Sequence, residues 1–339
     1  MKTVVFKNLL RSSFLGFVLM LPNSLLGQAG SSSPIIFESP QAFFASVSDN
    51  LNSSSSIQGI PMKPQGFLKI PQDEQFVFWV ALESGRLKVL EQLENGGFIV
   101  RQIIPVSIGS NGYDKQIEGD KRTPIGVYHF TSFLNDDQLM DYYGLGAYPI
   151  NYPNAIDLLN GKTGSGIWLH GLPKNVSERP LLDSDGCIVI DNNSLLQMTR
   201  YIQTGRTPVI LSQADLQWQP VNQEDARAES LSQALDAWRR DWESKDSRRY
   251  LSWYAEDFSD LVRDLSQWSV YKRRVNAAKS FIDLEFSDIS FISDPQQPEI
   301  VIVRYYQTYQ SSNYNWRGWK QQLWRQHGSD WQIIYEGNA

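Results

Sequence analysis

Nine of the eleven tryptophans lie beyond residue 217. A chain that concentrates its largest apolar side chains in its last third builds two cores of different character. A domain boundary therefore belongs near Gln213 to Gln223. With 339 residues, the chain is long enough to bury both cores.

Ahead of that boundary the pattern is one of short strands. Phe76-Val77-Phe78-Trp79-Val80 is a continuous apolar run of the kind found in a strand buried on both faces. Arg86 to Leu90 reads as a second strand, and Gly96-Gly97 turns the chain into a third at Phe98 to Val106. Strands divided by turn signals predict a mainly β, sandwich-like first domain over residues 67–213. Beyond the boundary, Leu231, Ala234, Leu235, Trp238 and Trp242 recur at helical spacing, predicting a helix over Glu224 to Ser244. A short helix around Tyr250 to Tyr254 and a third over Leu265 to Lys279 follow. Four alternating strands then cover Ile282 to Phe291, Glu299 to Gln310, Arg317 to Gln326 and Trp331 to Glu336. Helices first and an antiparallel sheet after them predict an α+β domain over residues 222–339.

The N-terminus reads as an export signal over residues 1–29. Lys2, Lys7 and Arg11 precede the apolar stretch Phe14 to Leu21, and Gly27-Gln28-Ala29 offers a small-x-small cleavage site. The stretch is shorter than the roughly 18 residues a spanning helix needs, which favours cleavage over an anchor. The expected location is the periplasm or the face of the cell wall, with membrane contact only through the signal. Residues 30–66, rich in Ser, Asn and Pro, read as a linker with a helical patch around Pro40 to Val47. The net charge of −6 argues against a nucleic-acid partner. Whether the chain pairs with a second copy is left open.

Chemistry concentrates between Ile167 and Asn192. Cys187, the chain's single cysteine, follows Ser184-Asp185-Gly186 and leads into Ile188-Val189-Ile190. His170, one of three histidines, ends Ile167-Trp168-Leu169. Two strands that each deliver half of a thiol–imidazole pair suit nucleophilic cysteine catalysis. The thiol attacks as thiolate, so it needs a base or a field that lowers its pKa. Gly186 suits a turn with positive φ that aims the N–H groups of Gly186 and Cys187 at an oxyanion. Gly171 leaves its carbonyl free to orient the imidazole. The alternative is a core cysteine and a satisfied histidine that merely share a sheet. A redox-sensing thiol lacks a resolving cysteine. The histidines and the cysteine show no metal-ligand spacing, and no cofactor is implied.

The segment resembles the catalytic motif of the YkuD-type L,D-transpeptidases: a His-Gly, a gap, then Ser/Thr-His-Gly-Cys and an apolar strand. Here these are His170-Gly171 and Ser184-Asp185-Gly186-Cys187-Ile188. Upstream, Lys121-Arg122-Thr123-Pro124-Ile125-Gly126-Val127-Tyr128 is similar to the family's strand-leading K-T-P-x-G-x-Y turn. The resemblance implies a β-sandwich-like fold and a peptidoglycan enzyme. Cys187 would be acylated by a stem tetrapeptide at the diaminopimelate–D-Ala bond, with His170 as base and Gly171 as its orienting carbonyl. Gly186 and Cys187 would form the oxyanion hole. Water or an amine would then resolve the thioester.

Two positions depart from the family pattern. Asp185 stands where the motif has His, and Val189 where Arg often follows. Both departures put the acceptor in question. The second domain looks like a nuclear-transport-factor-2-like cone, as in the cell-shape L,D-carboxypeptidases. Ser184, Asp185, Arg179 and Tyr143 are the candidate substrate-binding residues, Arg179 for a stem-peptide carboxylate. A non-catalytic wall-binding protein that uses the aromatic cone is the competing reading. Trp316, Trp319, Trp324 and Trp331 read chiefly as core or cross-strand partners. Lys272-Arg273-Arg274 reads as a solvated helix face, and His129 as structural.

Overall fold

The computed structural model describes residues 56–57, 60–223 and 225–339. The expected export signal and the helical patch lie outside them. No helix among the described residues is long and apolar enough to cross a membrane.

The first domain is a sandwich of two sheets. One has five strands in the order Phe98–Pro105, Arg86–Gln92, Phe76–Ala81, Pro208–Ser212 and Gly126–His129. The central pair, Phe76–Ala81 with Pro208–Ser212, is parallel, and the rest are antiparallel. The other has four strands in the order Ile188–Ile190, Trp168–Gly171, Gly146–Pro149 and Leu134–Asn135. Phe78, Val80, Leu87 and Val89 from the first sheet meet Tyr148, Leu169, Ile188 and Ile190 from the second. Burying Ile188 and Ile190 in this core turns the alternate residue, Val189, to the opposite face.

The continuous apolar run at Phe76–Ala81 has a direct cause. Phe78 and Val80 face the sandwich core, while Val77, Trp79 and Ala81 face a second apolar layer. That layer includes Ile292, Ile300, Ile302, Leu323 and Ile334 from the second domain. The two domains thus share a core across the middle of the chain.

The second domain contains helices Asp225–Glu243, Ser247–Leu251 and Leu265–Ala277 against strands Ile282–Ser293, Ile300–Ser311, Trp316–His327 and Asp330–Asn338. Leu231, Leu235, Trp238 and Trp242, the helical stripe seen in the sequence, pack with Trp324 and Trp331 inside the cone. Trp319 instead lies under the guanidinium groups of Arg206 and Arg304, 5.6 and 4.4 Å away.

Three expectations are corrected here. Residues 30–66 were expected as linker, yet Ile60–Pro64 forms a strand paired with Trp218–Pro220. Phe67–Lys69, expected to open the first domain, instead adds an edge strand to the second domain's sheet beside Phe291 and Ile292. Both strands are too short for alternation to be visible, and Pro61 and Pro64 obscure the first. Lys272 was expected in solvent but is buried. Its Nζ lies 4.3 and 4.4 Å from the Trp242 and Trp268 rings and 3.4 Å from Glu336 Oε1. The first domain also carries two short helices, Ala155–Leu159 and Asn192–Met198, that the strand reading did not anticipate.

Candidate active site

The strands Trp168–Gly171 and Ile188–Ile190 run parallel, with Leu169 opposite Ile188 and His170 opposite Val189. Extending the register by one residue sets Cys187 beside Trp168. In-register partners share a face, and so do residues two apart along a strand. Cys187, Trp168 and His170 therefore project to the same side, away from the sandwich core.

His170 is buried. Its Nδ1 lies 2.8 Å from the Gly171 carbonyl oxygen, which fixes the proton on Nδ1 and leaves the Nε2 lone pair without a partner. Burial pulls the imidazole down to about 4, against the Gly171 bond, with Arg179 adding to the fall. A Cβ on Gly171 would collide with Asn192 Oδ1. That oxygen accepts from Leu145 N at 2.9 Å, and Asn192 Nδ2 donates to Leu172 O at 2.9 Å. Asn192 thereby ties the tyrosine-bearing loop to the strand that holds His170. No spacing in the sequence singled it out.

The turn that carries Cys187 is pinned by three hydrogen bonds. Ser184 Oγ donates to Cys187 O at 2.6 Å and accepts from Gly186 N at 3.1 Å. Thr123 Oγ1, fully buried, donates to Gly186 O at 2.9 Å and accepts from Gly109 N at 2.9 Å. Gly186 has φ of 120°, and a Cβ there would come within 2.8 Å of Arg122 O. Only glycine fits this approach. The two sequence motifs are thus one structure: the Thr123 turn carries the floor of the cysteine turn. The Gly186 N–H, expected as an oxyanion donor, is taken by Ser184 Oγ. Cys187 N–H is left as the donor from this turn.

The Cys187 thiol is half-buried, with Sγ 3.5 Å from Gly166 O. Of the two means of activation expected, a base or a field that lowers the pKa, the field is not found: burial pushes the thiol up. Asp185 adds to the rise, while a bond from the Trp168 backbone and the charges of Arg179 and Lys115 oppose it. The imidazole cannot counter it, being neutral itself.

Aromatic rings wall the site. The Tyr143 ring lies 4.9 Å from Trp168 and 5.1 Å, edge-on, from His170, and Tyr142 lies 6.0 Å from His170. Arg179 stacks 5.7 Å from Tyr142. Its Nε and Nη2 are held by Asp183 at 2.7 and 2.6 Å, while the buried Nη1 has no partner. Asp185 stands at the rim, its Oδ1 3.1 Å from Lys121 Nζ. Among the described residues, no group of His, Cys, Asp or Glu could hold a metal ion.

Residues 75–211 match the family model of the L,D-transpeptidase catalytic domain, YkuD, and residues 230–337 match that of the Cds6 C-terminal NTF2-like domain. The chain is a YkuD L,D-transpeptidase catalytic domain followed by an NTF2-like domain. Two solved structures share this layout. Bd1075 from Bdellovibrio bacteriovorus is 28% identical, with a TM-score of 0.65 over 81% of this chain and 97% of that one. The helical cell shape determining protein Pgp2 from Campylobacter jejuni is 25% identical, with a TM-score of 0.65 over 85% and 97%. Nothing among the curated proteins matches the chain. The kind of enzyme is therefore a peptidoglycan-processing one of the L,D-transpeptidase type.

Proposed function

We propose that the chain is an exported L,D-carboxypeptidase that trims peptidoglycan stem tetrapeptides to tripeptides, with Cys187 as nucleophile and His170 as base. One observation carries the assignment. The His170 Nε2 lone pair is unpartnered, its ring is locked through Nδ1 to Gly171 O, and it shares a strand face with the thiol.

The steps follow from the neutral resting pair. The Cys187 sulfur bonds to the diaminopimelate carbonyl carbon as its proton passes to His170 Nε2. The developing oxyanion takes the Cys187 N–H, a donor of the kind that contributes about 3–4 kcal/mol in acyl transfer. The C–N bond to D-Ala breaks, and His170 returns the proton to the leaving amine. Water then attacks the thioester, gives a proton to His170, and the thiol leaves reprotonated. Arg179 Nη1 is the donor for the carboxylate of the terminal D-Ala. Tyr143 packs the base and walls the cleft.

Two features favour water over an amine as acceptor. Asp185 and Val189 depart from the family pattern at the two positions that put the acceptor in question. The two-domain layout is also that of a protein named for helical cell shape. Transpeptidation stands as the second reading.

Mass spectrometry of muropeptides incubated with the protein and with Cys187→Ala tests this. Tetrapeptides converted to tripeptides by the wild type alone are expected. New dimers or exchanged D-amino acids would shift the assignment to transpeptidation. No change with either protein would remove the tetrapeptide as substrate.

A further inference from the structure

Beside the nucleophile stands an ion pair that stability does not explain. Lys121 Nζ and Asp185 Oδ1 are 3.1 Å apart, with side chains 55% and 77% exposed. A pair this open contributes about 0–1 kcal/mol to folding. Yet the backbone under both charges is fixed. Lys121 sits at φ of 55°, and its carbonyl accepts from Asn111 N at 3.1 Å. The preceding Asp120 receives the N–H groups of Gln116, Ile117 and Arg122. Asp185 lies between Ser184, bonded to both Gly186 N and Cys187 O, and Gly186, held by Thr123. Two opposite charges on rigid backbone beside Cys187 are preorganised for a ligand that carries both.

The third charge of the site, Arg179, does not compete for that ligand. Arg179 gives Nε and Nη2 to Asp183 and stacks on Tyr142 beside the base. That is where the leaving D-Ala carboxylate falls in the proposed reaction. Asp185 instead stands on the nucleophile's own turn, two residues before Cys187, with Lys121 paired to it.

We propose that Lys121 and Asp185 bind the zwitterionic end of the diaminopimelate side chain, its free ammonium on Asp185 and its carboxylate on Lys121. The inference rests on the tetrapeptide reading and adds what the site requires of that substrate. The reach agrees. Five carbon–carbon bonds of about 1.5 Å, staggered, separate the attacked carbonyl from the second stereocentre, a span of about 6 Å. Two residues of chain, the step from Cys187 back to Asp185, span at most about 7 Å. A stem whose diaminopimelate amine is acylated in a cross-link has lost the ammonium. The enzyme therefore selects stems that are not cross-linked through that amine.

Calorimetric titration of the Cys187→Ala protein tests this with two probes. One is a disaccharide tetrapeptide with a free diaminopimelate amine, and the other is the same compound with that amine acetylated. The free-amine probe is expected to bind about tenfold more tightly, the size of one charge-assisted hydrogen bond. Adding Asp185→Asn should weaken the free-amine probe to the level of the acetylated one while leaving the latter unchanged. Exchanging the charges, Asp185→Lys with Lys121→Asp, should recover part of the preference. Equal binding of both probes, or equal weakening of both by Asp185→Asn, would overturn the inference. If the wild type cleaves tetrapeptides while the amine makes no difference, only this inference falls. If neither probe binds and no tetrapeptide is cleaved, the tetrapeptide reading falls as well.

Discussion

Burial holds both members of the thiol–imidazole pair neutral, and this sets how the site responds to pH. The imidazole stands at about 4 because burial outweighs the Gly171 bond, and the thiol is displaced upward. In the proposed reaction His170 is the base, and above about 4 it is already free to accept a proton, so kcat/KM should fall only as pH drops through that value. Without substrate, alkylation of Cys187 by iodoacetamide should keep rising with pH past neutrality, following the raised thiol. A plateau between pH 5 and 7 would mean a resting thiolate–imidazolium pair and would contradict this account. Thr123 gives a second prediction. Thr123→Val keeps the shape but loses the bonds to Gly186 O and Gly109 N. It should lower kcat about 10- to 100-fold through a misplaced Cys187 N–H, with Thr123→Ser close to wild type. Equal kcat in all three proteins would remove Thr123 from the positioning of the turn. The pairing of the strands that carry His170 and Cys187, and the Gly171 carbonyl against the imidazole, were legible because each motif adjoins an apolar run in the sequence. The raised thiol was not, since burial of a side chain is a property of the sheet, and Asn192 was not, since it acts across folded loops.

At the scale of single elements, the last helix shows how a correct periodicity can still mislead about one charge. The sequence predicts a helix over Leu265 to Lys279 with Lys272 in solvent, and the helix spans Leu265–Ala277. Trp268, Lys272 and Asn276, spaced by four, form its buried stripe. The i, i+4 relation of Lys272 to Trp268 was in the sequence, but its partner Glu336 lies 64 residues away on the last strand. Glu336 also accepts from Tyr254 Oη at 2.7 Å and Gln322 Nε2 at 3.2 Å. Burial opposes its charge, yet Lys272 and these donors hold its carboxyl below the usual range. Removing the lysine alone strands that carboxylate. Lys272→Met should therefore destabilise the fold by about 3–5 kcal/mol, and adding Glu336→Gln should restore much of the loss. Urea unfolding of the single and double variants checks this. Additive losses would show that the two side chains do not act as a pair. The two long helices and four long strands of this domain were readable because each is long enough to express its period. Phe67–Lys69 was not, because a three-residue strand has none.

Across the whole molecule, the seam between the domains carries a titrating carboxyl. Glu74 is buried where the first domain meets the second, its Oε2 3.7 Å from Arg206 Nε. Arg206 also pairs with Asp73 at 2.7 Å and Asp288 at 3.2 Å, and Arg304, from the second domain's sheet, donates to Gly205 O. Burial raises Glu74 from 4.5 to about 7, against the pull of both arginines and with Asp73 and Asp288 adding to the rise. The folded chain thus binds this proton more tightly than the unfolded chain. Its contribution is complete below about 4.5 and is lost as pH rises to about 7. His170 and His129 pull the other way, since burial lowers both and they favour the fold as pH rises. The bare stability curve mixes these opposing slopes, so the informative quantity is a difference. Glu74→Gln removes the titration and leaves the histidines in place. Measured against that variant, the wild type should lose about 2–3 kcal/mol of stability between pH 4.5 and pH 7, most of the free energy of a shift of about two and a half units. Denaturant unfolding of both proteins at a series of pH values reads this directly. A difference that does not change with pH would mean that Glu74 is already ionised at the seam and held there by Arg206. The domains would then be joined by a permanent ion pair rather than by a neutral, protonated contact over a shared apolar core.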